Sequence, residues 1–388
     1  MITMRRQLLG LGFVAASSLL ALHAAQALTG PTAITIDGGP LGSLSLSGGV
    51  DGYGYFVSNT PSGAKTNGAE VGSALVELQK TTGVLQFTIE IGSNGGTSAL
   101  GTTPSETSIT TFSTGPLYAG YVTVAPTGLP VTFSAGQLGS LEGYESGIDW
   151  NNAVQLTTAI FYVQNSQSRG VEAAYTQGPL TATVEFGDGV DSGVFNTFQA
   201  LVSYAFNTTN TLNVYGAANV GKTGPNTFAY GGGTTGSTVG LPYANNDMIG
   251  AFYSYTMGNL NLVPEAQYQY SKKDVGLGID GESSDFGAAL FADYTFGTSP
   301  YSIGAWGEYF TSHTAAAENY AWFVGPNSEA IGAAVAPTWQ YKDLFARANA
   351  GYIYLLRNKD ANGVKYGYGN NADGRGQFLG TIEAGLLF

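Results

Sequence analysis

Along most of this chain apolar and polar residues alternate with a period of two, which puts successive side chains on opposite faces of an extended strand. From Leu85 to Ile91, the residues Leu85, Phe87, Ile89 and Ile91 are apolar and Gln86, Thr88 and Glu90 are polar. The split recurs in Leu180, Ala182, Val184 and Phe186 against Thr181, Thr183 and Glu185. It recurs again in Leu260, Leu262, Ala266, Tyr268 and Tyr270 against Asn261, Glu265, Gln267 and Gln269. Further on, Phe286, Ala288, Leu290, Ala292, Tyr294 and Phe296 oppose Asp285 and Asp293, while Ala346, Ala348, Ala350, Tyr352 and Tyr354 oppose Arg347 and Asn349. Aromatic residues gather at the ends of these stripes, as they do at a membrane–water boundary. A soluble β-sandwich alternates too, so the pattern alone leaves two fold classes open.

The connections separate them. Short ones are Thr81-Thr82-Gly83, Pro126 to Pro130, Gln177-Gly178-Pro179, Asn207 to Asn210, Gly258-Asn259, Gly297 to Pro300 and Lys342-Asp343. Between them lie long polar stretches: Asn59 to Asn67, Ser93 to Pro116, Gly139 to Ser168, Asp188 to Asn196, Gly221 to Asn245, Lys272 to Ser283, Thr314 to Ser328 and Asn358 to Gly374. Seven short and eight long connections in strict alternation predict about 16 strands with every tight turn on one side. That asymmetry is the one of outer-membrane barrels, with short periplasmic turns and long external loops. The expected fold is therefore an all-β, transmembrane, antiparallel up-and-down barrel over residues 43–388. The parity requires that Ala153 to Asn165 (AVQLTTAIFYVQN) not be a wall strand. It is assigned to the long third loop, residues 139–168, which is expected to fold inward and constrict the lumen; a local strand or helix within it stays open.

The start of the chain places this barrel in an export pathway. Arg5 and Arg6 precede an apolar run from Leu8 to Leu22 that closes on Ala25-Gln26-Ala27. This order predicts a signal peptide over residues 1–27 with cleavage after Ala27, followed by a short lead over 28–42. The apolar run is shorter than the roughly 20 residues a membrane-spanning helix needs. After it comes no stretch of 18 or more apolar residues, which leaves strands as the means of crossing a bilayer.

Composition narrows the partners. There are 57 Gly, 24 Tyr and 20 Phe, but charged residues make up only 11%, against roughly a quarter in a soluble domain. Without Arg5 and Arg6 the chain has 12 basic against 27 acidic residues, a net of −15. Nucleic acid is excluded as a partner, since phosphate backbones are gripped by clustered Lys and Arg; cations are favoured. The chain has no Cys, which removes disulfides, thiol catalysis and Cys-ligated metals together.

Catalysis finds little to work with. Beyond the leader the one histidine is His313, and its neighbour Ser312 points to the opposite face of a strand, so the two make no nucleophile–base pair. The Asp188 and Asp191 pair in GDGVDSG lacks the spaced oxygen ligands of a calcium loop and reads as a solvated turn. The Gly231-Gly232-Gly233 run has no Lys or helix start after it and reads as a flexible loop. No catalytic residue, metal site or cofactor is expected.

From Val131 to Gly189 the chain runs through Gly136-Gln137-Leu138, Gly143-Tyr144-Glu145, Arg169-Gly170-Val171 and Gly187-Asp188-Gly189. This pattern resembles the OmpL-like β-barrel porins over about 60 residues, with general barrel character elsewhere. Two positions depart from that family's habit: Gln137 stands where Lys is common, and Ser168-Arg169 where a His often precedes the Gly-Val. The resemblance implies an outer-membrane porin with no assigned catalytic residues.

A charge facing lipid at the bilayer midplane costs roughly 2–4 kcal/mol, so alternation assigns Glu90, Glu185, Glu265, Gln267, Arg347 and Glu383 to the pore lining. The third loop adds Glu142, Glu145 and Asp149 as constriction residues. Charged constrictions set ion preference through the local potential, and the acidic excess predicts cations. The expected activity is passive diffusion of small hydrophilic solutes through the outer membrane of a Gram-negative bacterium. The alternative is a barrel with a structural or adhesive role through its loops. Expected partners are outer-membrane lipid, the barrel assembly machinery, for which the aromatic terminus Phe388 is a signal, and a homotrimer by analogy with sixteen-stranded porins.

Overall fold

The structure, a computed structural model, describes residues 28–95, 97–104, 116–165, 167–189, 192–225 and 240–388. The leader over 1–27, Asp191 and Gly231-Gly232-Gly233 lie outside the described residues.

The strands, in chain order, are β1 (Ile34–Asp37), β2 (Ser43–Val57), β3 (Asn67–Lys80), β4 (Leu85–Asn94), β5 (Ser98–Ala99), β6 (Leu117–Val124) and β7 (Val131–Gly139). There follow β8 (Leu156–Thr157), β9 (Gln167–Gln177), β10 (Leu180–Asp188), β11 (Phe195–Asn207), β12 (Asn210–Asn219) and β13 (Asn246–Met257). The last are β14 (Leu260–Ser271), β15 (Ser283–Thr295), β16 (Tyr301–Thr314), β17 (Glu329–Tyr341), β18 (Leu344–Arg357) and β19 (Gly376–Leu387). Leaving out the short β1, β5 and β8, sixteen strands pair antiparallel with their sequence neighbours, and β19 closes on β2 from Leu379↔Val57 to Leu387↔Gly49. The result is a closed sixteen-stranded antiparallel barrel, which leaves no open edge for a bilayer to reject.

Turn chemistry sets the tight end. In the β13–β14 hairpin Gly258 takes φ +61 as the first of two connecting residues, the position that a two-residue reverse turn reserves for glycine. At the seam, β1 pairs with Ser43 to Leu46 of β2, the residues of β2 that extend past the end of β19. The lead 28–42 thus carries one strand of its own.

Alternation sorts the wall as elementary transfer energetics demands. Leu85, Ile89, Val184, Tyr268, Leu290, Tyr352 and Ile382 are exposed on the outside, and Gln86, Thr88, Glu185, Gln267, Asn349 and Glu383 are buried inside. The interior is not wholly polar. A buried apolar cluster joins Phe252, Val263, Phe291, Trp306, Phe310 and Ile353 of the wall to Leu141, Val154, Leu156, Ile160 and Val163 of the third loop. Burying each such loop side chain contributes about 1.5–3 kcal/mol, which is what draws the loop into the lumen.

Candidate functional site

The third loop, from the end of β7 to the start of β9, crosses the barrel interior. The stretch Ala153 to Asn165 is no wall strand: it holds β8, paired parallel with β5 of the second loop, and a single helical turn, α1 (Ala159–Tyr162). The Thr158 side chain caps that turn by accepting from Phe161 N, satisfying one of the donors a helix start leaves open.

Wall side chains hold the loop along its length. Gln199 of β11 accepts from Leu141 N, Gln269 of β14 donates to Val163 O at 2.7 Å, and Glu308 of β16 accepts from Ala159 N at 2.8 Å. Trp306 Nε1 donates to Leu156 O at 2.7 Å, Asn349 accepts from Gln155 N, and Thr381 donates to Gln155 Oε1 at 2.6 Å. Arg347 donates to the carbonyls of Asn152 and Asp149 at 2.6 and 3.0 Å while gripping Glu383 through Nε and Nη2 at 2.6 and 2.9 Å.

All six wall residues named from alternation lie inside and are buried: Glu90, Glu185, Glu265, Gln267, Arg347 and Glu383. They do not form one ring. Arg347 and Glu383 face each other across β18 and β19. Glu265 and Gln267 meet Tyr215 and the loop's Gln164, with Tyr215 Oη donating to Glu265 at 2.6 Å and Gln164 Nε2 donating to Gln267 at 2.8 Å. Glu90 lies opposite Glu77 across β3 and β4, and Glu185 opposite Glu172 across β9 and β10.

Of the loop acids, Glu142 accepts from Asn165 N at 2.7 Å, and Glu145 accepts from the amide and hydroxyl of Thr158. These two carboxylates brace the loop's own backbone. Burial pushes Glu142 up to about 8 and Glu145 well above the usual carboxylate range, against the opposing hydrogen bonds. Asp149 is fully buried beside Asp51 and Glu383.

Two clefts flank the loop. One opens at the loop end between Glu142, Asn165, Thr197, Asn219 and Gln269. The other lies toward the turn end between Glu145, Asn152, Asp293 and Trp306. Along β14 the first reaches Gln269, and the second lies opposite Asn261, which pairs with Asp293. Glu265 and Gln267 stand between them, at the crossing where Tyr144, Tyr215 and Phe252 also pack. Alternation did not single out Asp51, Tyr215 or Glu308, although each lies inside.

The interior is strongly acidic. Among the described residues ten buried carboxylates stand against one buried base, Arg347. Both carboxylate oxygens of Glu185 and of Asp285 are buried without a hydrogen-bond partner, an arrangement that favours an incoming cation or proton.

The motif residues have structural work. Gly136 sits at φ +146, and a Cβ there would lie 2.2 Å from Gly120 O of β6, an approach open only to glycine. Gln137 donates to the carbonyls of Leu117 and Tyr118 across the same strand pair. Asp188 corrects the reading of a solvated turn: it is buried, paired with the Arg169 guanidinium, and accepts from Gly193 N at 2.8 Å. A buried carboxylate needs such a partner, and Arg169, one of the departures from the family pattern, supplies it. Ser312 is buried inside the barrel and His313 is exposed outside it, so no nucleophile and base meet there.

The family described as "Putative beta-barrel porin-2, OmpL-like" matches residues 43–388, the whole sixteen-stranded wall. No protein of curated function matches the chain in sequence. In fold the chain is similar to the anion-selective porin from Comamonas acidovorans, with a TM-score of 0.57 at 14% identity, covering 89% of this chain and 99% of that one. It is also similar to OmpT (in-vitro folded), an outer membrane protein of Vibrio cholerae, with a TM-score of 0.55 at 12% identity, covering 90% and 98%.

Proposed function

The chain belongs to the OmpL-like β-barrel porin family, and on that premise we propose that it is an outer-membrane porin passing small hydrophilic solutes by diffusion, with cations preferred and no chemical step. The observation that carries this reading is the closed sixteen-strand wall with clefts at both ends of an acidic interior. Barrels of this size are wide enough for an aqueous path. The path proposed runs from the loop-end cleft past Gln267 and Glu265 to the turn-end cleft, with Glu90, Glu185, Arg347 and Glu383 lining the remaining interior.

Ten buried carboxylates against one base favour cations, the reverse of the preference in the Comamonas porin's name. Zero-current potentials in planar bilayers under a KCl gradient test it, and an anion-side reversal sinks it. A homotrimer, outer-membrane lipid and the assembly machinery belong to the same proposal as its setting.

The dense packing of the third loop favours a second reading, a barrel with a structural or adhesive role. Liposome swelling with sugars of graded size separates the two: a porin gives rates that fall with sugar size, and a plugged barrel gives none.

A further inference from the structure

At the seam where the first and last wall strands meet, three carboxylates from distant parts of the chain converge: Asp51 of β2, Asp149 of the third loop and Glu383 of β19. One oxygen from each lies within 4.8 Å of the others, and all three residues are buried. The nearby cation, Arg347, is spent elsewhere: its Nε and Nη2 donate to Glu383 and its Nη1 and Nη2 to the carbonyls of Asn152 and Asp149. Asp51 and Asp149, exposed to 4% and 0%, are therefore buried carboxyl groups that the guanidinium does not contact. Asp51 Oδ2 and Asp149 Oδ2 accept no hydrogen bond from any described residue, although Asp51 Oδ1 is bound by Ser73 N and Asp149 Oδ1 by Trp150 N. Two buried oxygens so placed call for a cation or a shared proton between them.

We propose that Asp51, Asp149 and Glu383 form a calcium site that ties the third loop to the barrel seam. The donors are hard carboxylate oxygens, with no imidazole or thiolate among them, which selects against zinc and copper. Calcium tolerates irregular oxygen cages, whereas magnesium demands a near-ideal octahedron. The site joins β2, β19 and the loop through one ion, so its occupancy couples barrel closure to the loop's position. It stands apart from the permeation reading and holds whether or not solute passes.

The test uses the full-length protein folded in detergent and stripped with chelator. Terbium is titrated with excitation of tryptophan, since Trp150 adjoins Asp149 and is positioned to sensitise the ion. Expected are saturable emission at one ion per chain, displacement by CaCl2, and a rise in the urea midpoint with added calcium. Asp51→Asn and Asp149→Asn should each weaken terbium binding at least tenfold, with Asp343→Asn, an exposed acid in the β17–β18 turn, unchanged. Heat-modifiable gel mobility identifies the folded variants. The proposal is overturned by wild-type emission that calcium does not displace, or by undiminished binding in the Asp51→Asn/Asp149→Asn double variant. It is also overturned if that variant is more stable while wild type ignores calcium, the signature of a shared proton.

Discussion

Replacing Arg347 by Met removes a guanidinium with 0% side-chain exposure from a carboxylate, Glu383, that is equally dry. Two charge-assisted hydrogen bonds to Glu383 and two to loop carbonyls go with it, while the Met stem keeps most of the packing. Stranding one member of a buried ion pair costs about 3–5 kcal/mol, and the proximity of Asp51 and Asp149 to the stranded carboxylate places this case at the upper end. Removing both members leaves no bare charge, so Arg347→Met/Glu383→Gln should cost only about 1–2 kcal/mol, set by the lost loop anchors. The coupling between the sites should then exceed about 2 kcal/mol. Urea unfolding of protein folded in phospholipid vesicles, followed by tryptophan fluorescence for all four members of the cycle, measures it. Single-channel records of Arg347→Met should also show larger and noisier currents, because the loop loses its strongest tether. A single variant within about 0.5 kcal/mol of wild type, or a double variant equal to the sum of the singles, would refute the reasoning.

Glu142 should contribute to a pH-sensitive selectivity: as pH passes about 8 its proton leaves, so cation preference should rise between pH 7 and 9 and rise less in Glu142→Gln, read as zero-current potentials. Because the folded loop holds a proton that the unfolded chain releases near 4.5, this group's contribution to stability is full below that value and is lost as pH climbs to about 8. Arg169→Ala should cost about 2–3 kcal/mol in urea unfolding by stranding buried Asp188, less than a dry pair because a third of the Arg169 side chain meets solvent. Gly136→Ala should lower the unfolding free energy by about 1–3 kcal/mol through the disallowed φ and the collision with Gly120 O, and an unchanged urea midpoint would show that the strand pair shifts freely.

Where the inner face is polar, the strands could be read directly. The stripe of Glu90, Thr88 and Gln86 against Ile89, Phe87 and Leu85 gives both strand and facing, and the strict alternation of short and long connections keeps Ala153 to Asn165 out of the wall. Where the inner face meets the third loop, the signal fades. In β16 the inward residues include Trp306 and Phe310, which pack in the buried interior cluster, while outward Ile303 and Tyr309 are apolar too. With both faces apolar the period of two disappears, and Glu308 goes unnoticed among aromatics. The meeting of Arg347 with Glu383 was hidden for another reason: β18 and β19 are joined by a long loop, and only a tight turn fixes register from sequence. Asp51, Asp149 and Glu383 come together only through closure of the barrel and inward folding of the loop, neither of which residue spacing records.

The sorting of side chains between lipid and lumen is tested most directly by photolabelling from within the bilayer with a lipid-soluble carbene probe, followed by peptide mapping of the folded protein. Modification should fall on Ile89, Tyr268, Leu290, Tyr352 and Ile382 and spare Glu90, Glu265, Gln267, Arg347 and Glu383. Labels on the second set with the first left clean would mean that the charged residues face lipid, and the acidic interior on which the porin reading rests would not exist.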